Sequence, residues 1–167
     1  MITLRIAQKG DEIGIYEVMC RCSNALTDAE TFVCDDIDFV KEHIENRGFI
    51  CVATDEGKIV SYFIFRFPGD DLDNLGNDAG LLKTEFRSVA HAESAGVLPD
   101  YRGKHLQGEM LSFGIERIRK AGYKYIMATA SPKNEASCKT LEKAGLSCVV
   151  TKEKYGGLIR NIYLLRL

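Results

Sequence analysis

Apolar positions change period several times along the chain, and each change marks an element. Residues 2–8 read as a short strand. After Gly10-Asp11, Ile15, Met19, Cys22 and Leu26 recur on one helical face. A second helix is expected to start near Asp35 or Asp36, either of which can cap it. It should bury Ile37, Val40 and Ile44 and stop at Gly48. FICVAT (49–54) and KIVSYFIFRF (58–67) flank Asp55-Glu56-Gly57, a hairpin signal. Residues 68–80, PGDDLDNLGNDAG, are rich in Gly, Asp and Asn and predict a loop. SVAHAESAGVL (88–98) predicts a strand, followed by a helix from about 105 to 121 that Gly122 closes. YKYIMATA (123–130) is the next strand and NEASCKTLEKAG (134–145) the last helix. SCVVTKEK and LIRNIYLLRL form a hairpin around Tyr155-Gly156-Gly157. The order β-α-α-β-β-β-α-β-α-β-β, with no repeat or linker, predicts one mixed α/β domain over residues 1–167.

Composition narrows the function classes. With 46% hydrophobic and 28% charged residues, the 167-residue chain fits a globular domain with a real core. A formal net charge of -2 argues against a general nucleic-acid binder, which needs a basic face. No apolar run reaches the roughly 20 residues of a membrane span, and the N-terminus lacks a signal-peptide core, so a cytoplasmic location is expected. Six cysteines raise the question of disulfides or a metal. Cys20 and Cys22 lie two apart on a helix and cannot share a metal, so reduced, mostly buried thiols and no metal site are expected.

The chemistry concentrates at VLPDYRGKHLQG (97–108), where a strand passes through a basic, glycine-containing turn into a helix. A helix N-terminus presents unpaired N–H groups and the positive end of the peptide dipoles, a setting for phosphate. Arg102 and Lys104 add charge, and Gly103 allows close approach of the backbone. Neither the P-loop nor the dinucleotide glycine pattern is present. The motif and the element order together resemble the GNAT N-acetyltransferase superfamily over essentially the whole chain. Its loop reads R/Q-x-x-G-x-G/A after a strand ending V-x-P. A later family motif, N-x-x-x-x-x-L-Y-x-K-x-G-F, is similar in spacing to the stretch from Asn134 through Leu146.

The resemblance implies a central mixed, mostly antiparallel sheet of about seven strands flanked by helices, with acetyl-CoA as acyl donor. It further implies that Ala95, Gly96 and Val97 bond the pantetheine arm through their main chain. Gly103, Lys104, His105, Leu106, Gln107 and Gly108 would wrap the diphosphate beside Arg102, and Asn134 would reach the pantetheine or a group near it. Three positions depart from the family pattern. His105 stands where glycine is usual, Gln107 where Gly or Ala is usual, and Leu141 in place of the tyrosine that commonly acts as general acid.

The reaction implied is attack of a primary amine of a small molecule on an acyl thioester. Such an amine, with a pKa of about 10.4, is mostly protonated at neutral pH and needs help losing a proton. Glu93, on the strand leading into the loop and sharing the facing of Ala95 and Val97, is the expected base, with His91 as an alternative base or relay. Tyr155 is the expected substitute for the missing acid, against the plainer reading of a tyrosine packed at a Gly-Gly turn. Cys138 suggests an acyl-cysteine route but has no histidine beside it in sequence. The acidic run Asp70-Asp71-Leu72-Asp73 is either a solvated loop or an attractant for a cationic acceptor. Two readings compete with the enzyme, a non-catalytic acyl-CoA-binding module and an interaction protein keeping only the fold. A monomer or homodimer is expected.

Overall fold

Hydrophobic strands that alternate faces fix one sheet, and helices with a single apolar stripe cover it. The computed structural model describes residues 1–25 and 34–167. Strands β1 (Ile2–Ile6), β2 (Gly48–Asp55), β3 (Lys58–Arg66), β4 (Val89–Val97), β5 (Tyr125–Ala130), β6 (Ser147–Lys154) and β7 (Leu158–Arg166) form one sheet in the order β1-β2-β3-β4-β5-β7-β6. Helices α1 (Glu12–Asn24) and α2 (Ile37–Glu45) follow β1, α3 (Leu106–Lys120) links β4 to β5, and α4 (Glu135–Lys143) links β5 to β6. The element order is the expected one, and boundaries differ by one or two residues. Leu26, expected on the first helical face, lies outside the described residues.

Each helix follows from its local sequence. Buried Ile15, Val18, Met19 and Cys22 form the apolar stripe of α1. Asp36 caps α2, its side chain accepting from the Phe39 N–H at 2.9 Å. Within α2 the stripe differs from expectation: Val40 and His43 are buried, while Ile37 and Ile44 are only partly covered. His43 donates from Nδ1 to the Phe39 carbonyl at 2.7 Å and its ring lies 4.1 Å from that of Phe39. That bond lets an imidazole enter the core, and burial holds it below its ordinary pKa, hence neutral.

The region 68–80 is not a free loop. It contains a 3-10 turn at Leu75–Asn77 and is followed by a second at Lys83–Ser88. Asn74 is fully buried, with its side chain donating to the Gly69 and Phe86 carbonyls and accepting from the Gly76 N–H. The acidic run is consumed by arginines. Asp70 pairs with Arg87, Asp71 with Arg47 and Arg66, and Asp73 with Arg66. The run stays largely solvent-exposed, as a solvated loop would, but its carboxylates are paired with arginines rather than left open as an attractant.

Six unpaired thiols are present; Cys22, Cys51 and Cys138 are buried, whereas Cys34 and Cys148 are exposed. Among the described residues, no helix is long and apolar enough to cross a membrane, and no His/Cys/Asp/Glu group is arranged to hold a metal ion.

Phe65, fully buried on β3, stacks between Phe49 and Phe63 at 4.8 and 4.7 Å and meets α3 at Gly114. A Cβ at position 114 would sit 2.0 Å from the Phe65 ring. Gly114→Ala should therefore destabilise by about 1–3 kcal/mol through overpacking, more than the roughly 1 kcal/mol that alanine gains in helix propensity. Urea unfolding checks this, and an unchanged midpoint would show that the helix can lift off β3.

Candidate active site

Among the described residues, β4 and β5 form the only parallel pair in the sheet, and their ladder is short. It runs from Val89–Tyr125 to Ala92–Ala128, whereas the β3–β4 ladder continues to Ser61–Val97. Past Ala92 the two strands part. Among the described residues, the β5-facing edge of residues 93–97 is left without strand pairing. A register shift lies at the same point: Phe65 pairs with Ala92 and Ile64 with Ser94, so Glu93 is the extra residue of a bulge. The regular alternation that would align Glu93 with Ala95 and Val97 is interrupted there.

Two cavities meet inside this wedge. The larger, about 1140 Å³, is lined by Ala95, Gly96, Val97, Arg102, Gly103, His105, Leu106, Gln107, Gly108 and Asn134. The smaller, about 280 Å³, has Asp35, Glu93, Thr129, Leu141, Tyr155 and Arg160 among its walls. Ala95, Gln107 and Asn134 line both.

The large cavity is shaped for an elongated anionic guest. His105 is the N-cap of α3 in the left-handed region, at φ 60° and ψ 16°, and its carbonyl accepts the first helical bond from Glu109. The N–H groups of Leu106, Gln107 and Gly108 precede that bond and have no intrahelical acceptor. Position 105 thus does need positive φ, and a histidine rather than a glycine supplies it. Gly103 also lies at positive φ, and a Cβ on Gly103 or Gly108 would meet nothing within 4 Å, so the backbone is open to the cleft. Arg102 stays at the rim with its Nε directed to the Val97 carbonyl at 3.4 Å. Lys104 is the exception among the expected loop residues. Its ammonium sits 4.9 Å over the ring of Tyr101, itself a wall residue, and Lys104 does not line the cavity. Asn134 caps α4 by accepting from the Ser137 N–H at 3.1 Å. These features fit coenzyme A: N–H groups and an arginine for phosphates, a strand edge for pantetheine.

The small cavity holds the titrating groups. Burial pulls the Glu93 carboxyl upward, but the hydrogen bond with His91 and the charge of Arg66 outweigh it, so Glu93 stays below the ordinary range. His91 is not free to act as the base. Its Nε2 accepts from the Leu75 N–H at 3.1 Å and its Nδ1 lies 3.2 Å from Glu93 Oε2. Tyr155, in the left-handed region of the β6–β7 turn, places its hydroxyl 3.2 Å from Thr129 Oγ1 and lines the cavity. Loss of water around that hydroxyl raises its pKa and keeps it protonated, the state a proton donor needs. Leu141 is buried in the core while forming part of the wall. Cys138 lies outside the walls, with its thiol directed to the Ser131 carbonyl at 3.5 Å, and the acyl-cysteine route finds no geometry.

Asp35, considered in the sequence only as a cap, is a wall residue. Burial first, then the negative charges of Glu93 and Asp36, push its carboxyl up to about 6. A raised folded pKa means stability that is complete below the unfolded value of about 3.9 and lost as pH rises through the folded one. Asp35→Asn should therefore melt higher than wild type at pH 7.5, with the difference vanishing near pH 4, about the unfolded value. Calorimetry at the two pH values measures it, and equal shifts at both would show a carboxylate that remains well solvated. Glu93 and Asp73 run the other way. Their lowered pKa values give stability present above about pH 4 and lost as the pH falls through the folded values.

Comparison with known proteins gives the family. Residues 14–146 match the family model described as acetyltransferase (GNAT) family. None of the curated proteins compared matches the sequence. Among solved structures, the protein yncA from Salmonella typhimurium, with its cofactor acetyl-CoA, aligns at TM-score 0.75 and 23% identity over 99% of this chain and 94% of its own. The phosphinothricin acetyltransferase from Sinorhizobium meliloti, in complex with acetyl-CoA, aligns at TM-score 0.75 and 21% identity over 99% and 88%. The ribosomal-protein-S18-alanine N-acetyltransferase from Escherichia coli aligns at TM-score 0.73 and 17% identity over 99% and 94%. The strand wedge, the phosphate-ready helix start and the matched family model lead to one conclusion: this chain belongs to the GNAT acetyltransferase family.

Proposed function

We propose that the protein is an N-acetyltransferase that binds acetyl-CoA in the large cavity and acetylates a primary amine of a small molecule held in the small one. The observation that carries this reading is the junction of the two cavities at Ala95, Gln107 and Asn134, with Glu93 and Tyr155 both on the acceptor side. Acetyl-CoA supplies an activated acyl thioester. The N–H groups of Leu106, Gln107 and Gly108 hold its phosphates, and the open edge at Ala95, Gly96 and Val97 orients the arm that carries it. Glu93 takes a proton from the attacking amine, directly or through a water. Tyr155 returns a proton to the departing sulfur. A thiol leaves acceptably even unprotonated, since its pKa is about 8.5, so the absence of tyrosine at 141 slows the reaction without forbidding it.

A small acceptor is supported by the about 280 Å³ of the acceptor cavity, which Tyr155 and Asp35 help to line. Relatives of the same fold include one named for alanine of a ribosomal protein and one named for phosphinothricin, so an amine panel should contain N-terminal peptides as a contrast.

Three outcomes test the reading. Acetyl-CoA at about 100 times its Kd should stabilise the fold by about 2.7 kcal/mol, seen as a rise in melting temperature, and desulfo-CoA should do nearly as well. No rise at millimolar ligand would reject acetyl-CoA as the guest. His105→Gly should keep or improve acetyl-CoA affinity by calorimetry, because glycine relieves the left-handed backbone; a tenfold loss would instead assign the imidazole a direct contact. Glu93→Gln should lower kcat/KM for the best amine of the panel by about 10²-fold or more, leave acetyl-CoA binding intact, and recover in part at higher pH. Near-normal turnover in that variant would remove Glu93 as the base, and no thiol release with any amine of the panel would favour the non-catalytic binding module.

A further inference from the structure

Glu93 is gripped from two sides, and both grips trace back to one short stretch of chain. An amide N–H can only donate, so the Leu75 N–H at 3.1 Å requires a lone pair on His91 Nε2. A neutral imidazole then carries its proton on Nδ1, which donates to Glu93 Oε2 at 3.2 Å. On the other side, Arg66 Nη1 lies 3.8 Å from Glu93 Oε1. That guanidinium is itself fixed by two 2.8 Å bonds to Asp73 and one of 2.7 Å to Asp71. His91 and Arg66 are both nearly inaccessible, at 2% and 8% exposure, so neither bond is exchanged freely with solvent.

We propose that the segment Asp71–Leu75 is a clamp which, through Arg66 and His91 as positioning residues, fixes the place and the charge of the Glu93 carboxylate beneath the acceptor cavity. The proposal rests on the reading of Glu93 as the proton acceptor. The clamp acts within a mixed field. Arg66 and His91 favour the Glu93 anion, Asp73 and Asp35 oppose it, and Tyr155 and His43 also face it, the histidine neutral by burial. Among the described residues, the hydrogen bond and the ion pair at the carboxylate come from these two favourable groups. Without them a carboxylate beside Asp35 and Asp73 would rise toward protonation and lose its use as a base.

A merely architectural network would cost stability when cut but leave Glu93 titrating as before, and two histidine isosteres separate the cases. His91→Asn keeps a donor near the Nδ1 position and loses the acceptor for Leu75. His91→Gln keeps the acceptor and loses the donor to Glu93. In protein carrying ¹³C-carboxyl glutamate, with the Glu93 signal assigned by Glu93→Gln, His91→Gln should move the Glu93 midpoint upward the most, and His91→Asn, which keeps the donor but cuts the tie to Leu75, should move it upward by less. The acid limb of the kcat/KM–pH profile should follow the same order. Equal midpoints in the two variants would overturn the proposal. The wild-type protein provides a readout free of folding effects: ¹⁵N shifts of His91 at pH 7 should show protonated Nδ1 and bare Nε2, and the opposite tautomer would sink it. Neither NMR readout needs acetyl-CoA or an acceptor, so failure of the clamp is distinguishable from failure of the acetyltransferase reading, which shows in turnover.

Discussion

The ladder between β4 and β5 ends at Ala92 and Ala128 while each strand keeps its other neighbour, and the functional face depends on that early end. A parallel pair needs a long crossover, here α3, and its start is delivered to the mouth of the gap. The bulge at Glu93 sits at the divergence and turns β4 without breaking its pairing to β3. One geometric event therefore exposes a strand edge, places a helix N-terminus beside it, and brings a carboxylate to the junction of two cavities.

Charge is handled differently on the two sides of that junction. The large cavity offers dipoles, backbone N–H groups and Arg102, all near solvent, which suits a guest that arrives with its own charges. The acceptor side instead carries ionised groups into partial burial, where each must be met by a partner. Arg66 is satisfied by Asp71 and Asp73, and Glu93 by His91 and Arg66. Among the described residues, no hydrogen bond or ion pair is seen for the Asp35 side chain, and its carboxyl is pushed up to about 6. Two carboxylates on one cavity thus hold different protonation tendencies because their neighbours differ.

Elements, order and motif were legible because they rest on local rules. Period-two and period-3.6 patterns, Gly57 and Gly122 as stops, and Asp36 as a cap act over a few residues, and the structure follows them closely. The turn at 102–108 was legible for the same reason, since a basic glycine turn before a helix has the same chemistry in any fold. Even the positive φ at His105 follows from one position of the motif.

Contacts between distant segments were decided by the tertiary structure alone. Nothing near Arg66 in sequence says that Asp71 and Asp73 will wrap it or that Glu93 will lie against it, although an arginine inside the apolar run FIFRF was a signal of a buried partner. Asp35 read as a helix cap because its cavity is formed by strands 28 and more residues away. Tyr155 was a candidate acid from sequence, but only the pairing of β7 beside β5 set its hydroxyl next to Thr129. Lys104 turned to Tyr101 because rotamer choice answers to three-dimensional neighbours. Sequence determines what short stretches of backbone do, since those energies are local; the ionisation and aim of a site residue depend on desolvation and on charges brought close only by folding.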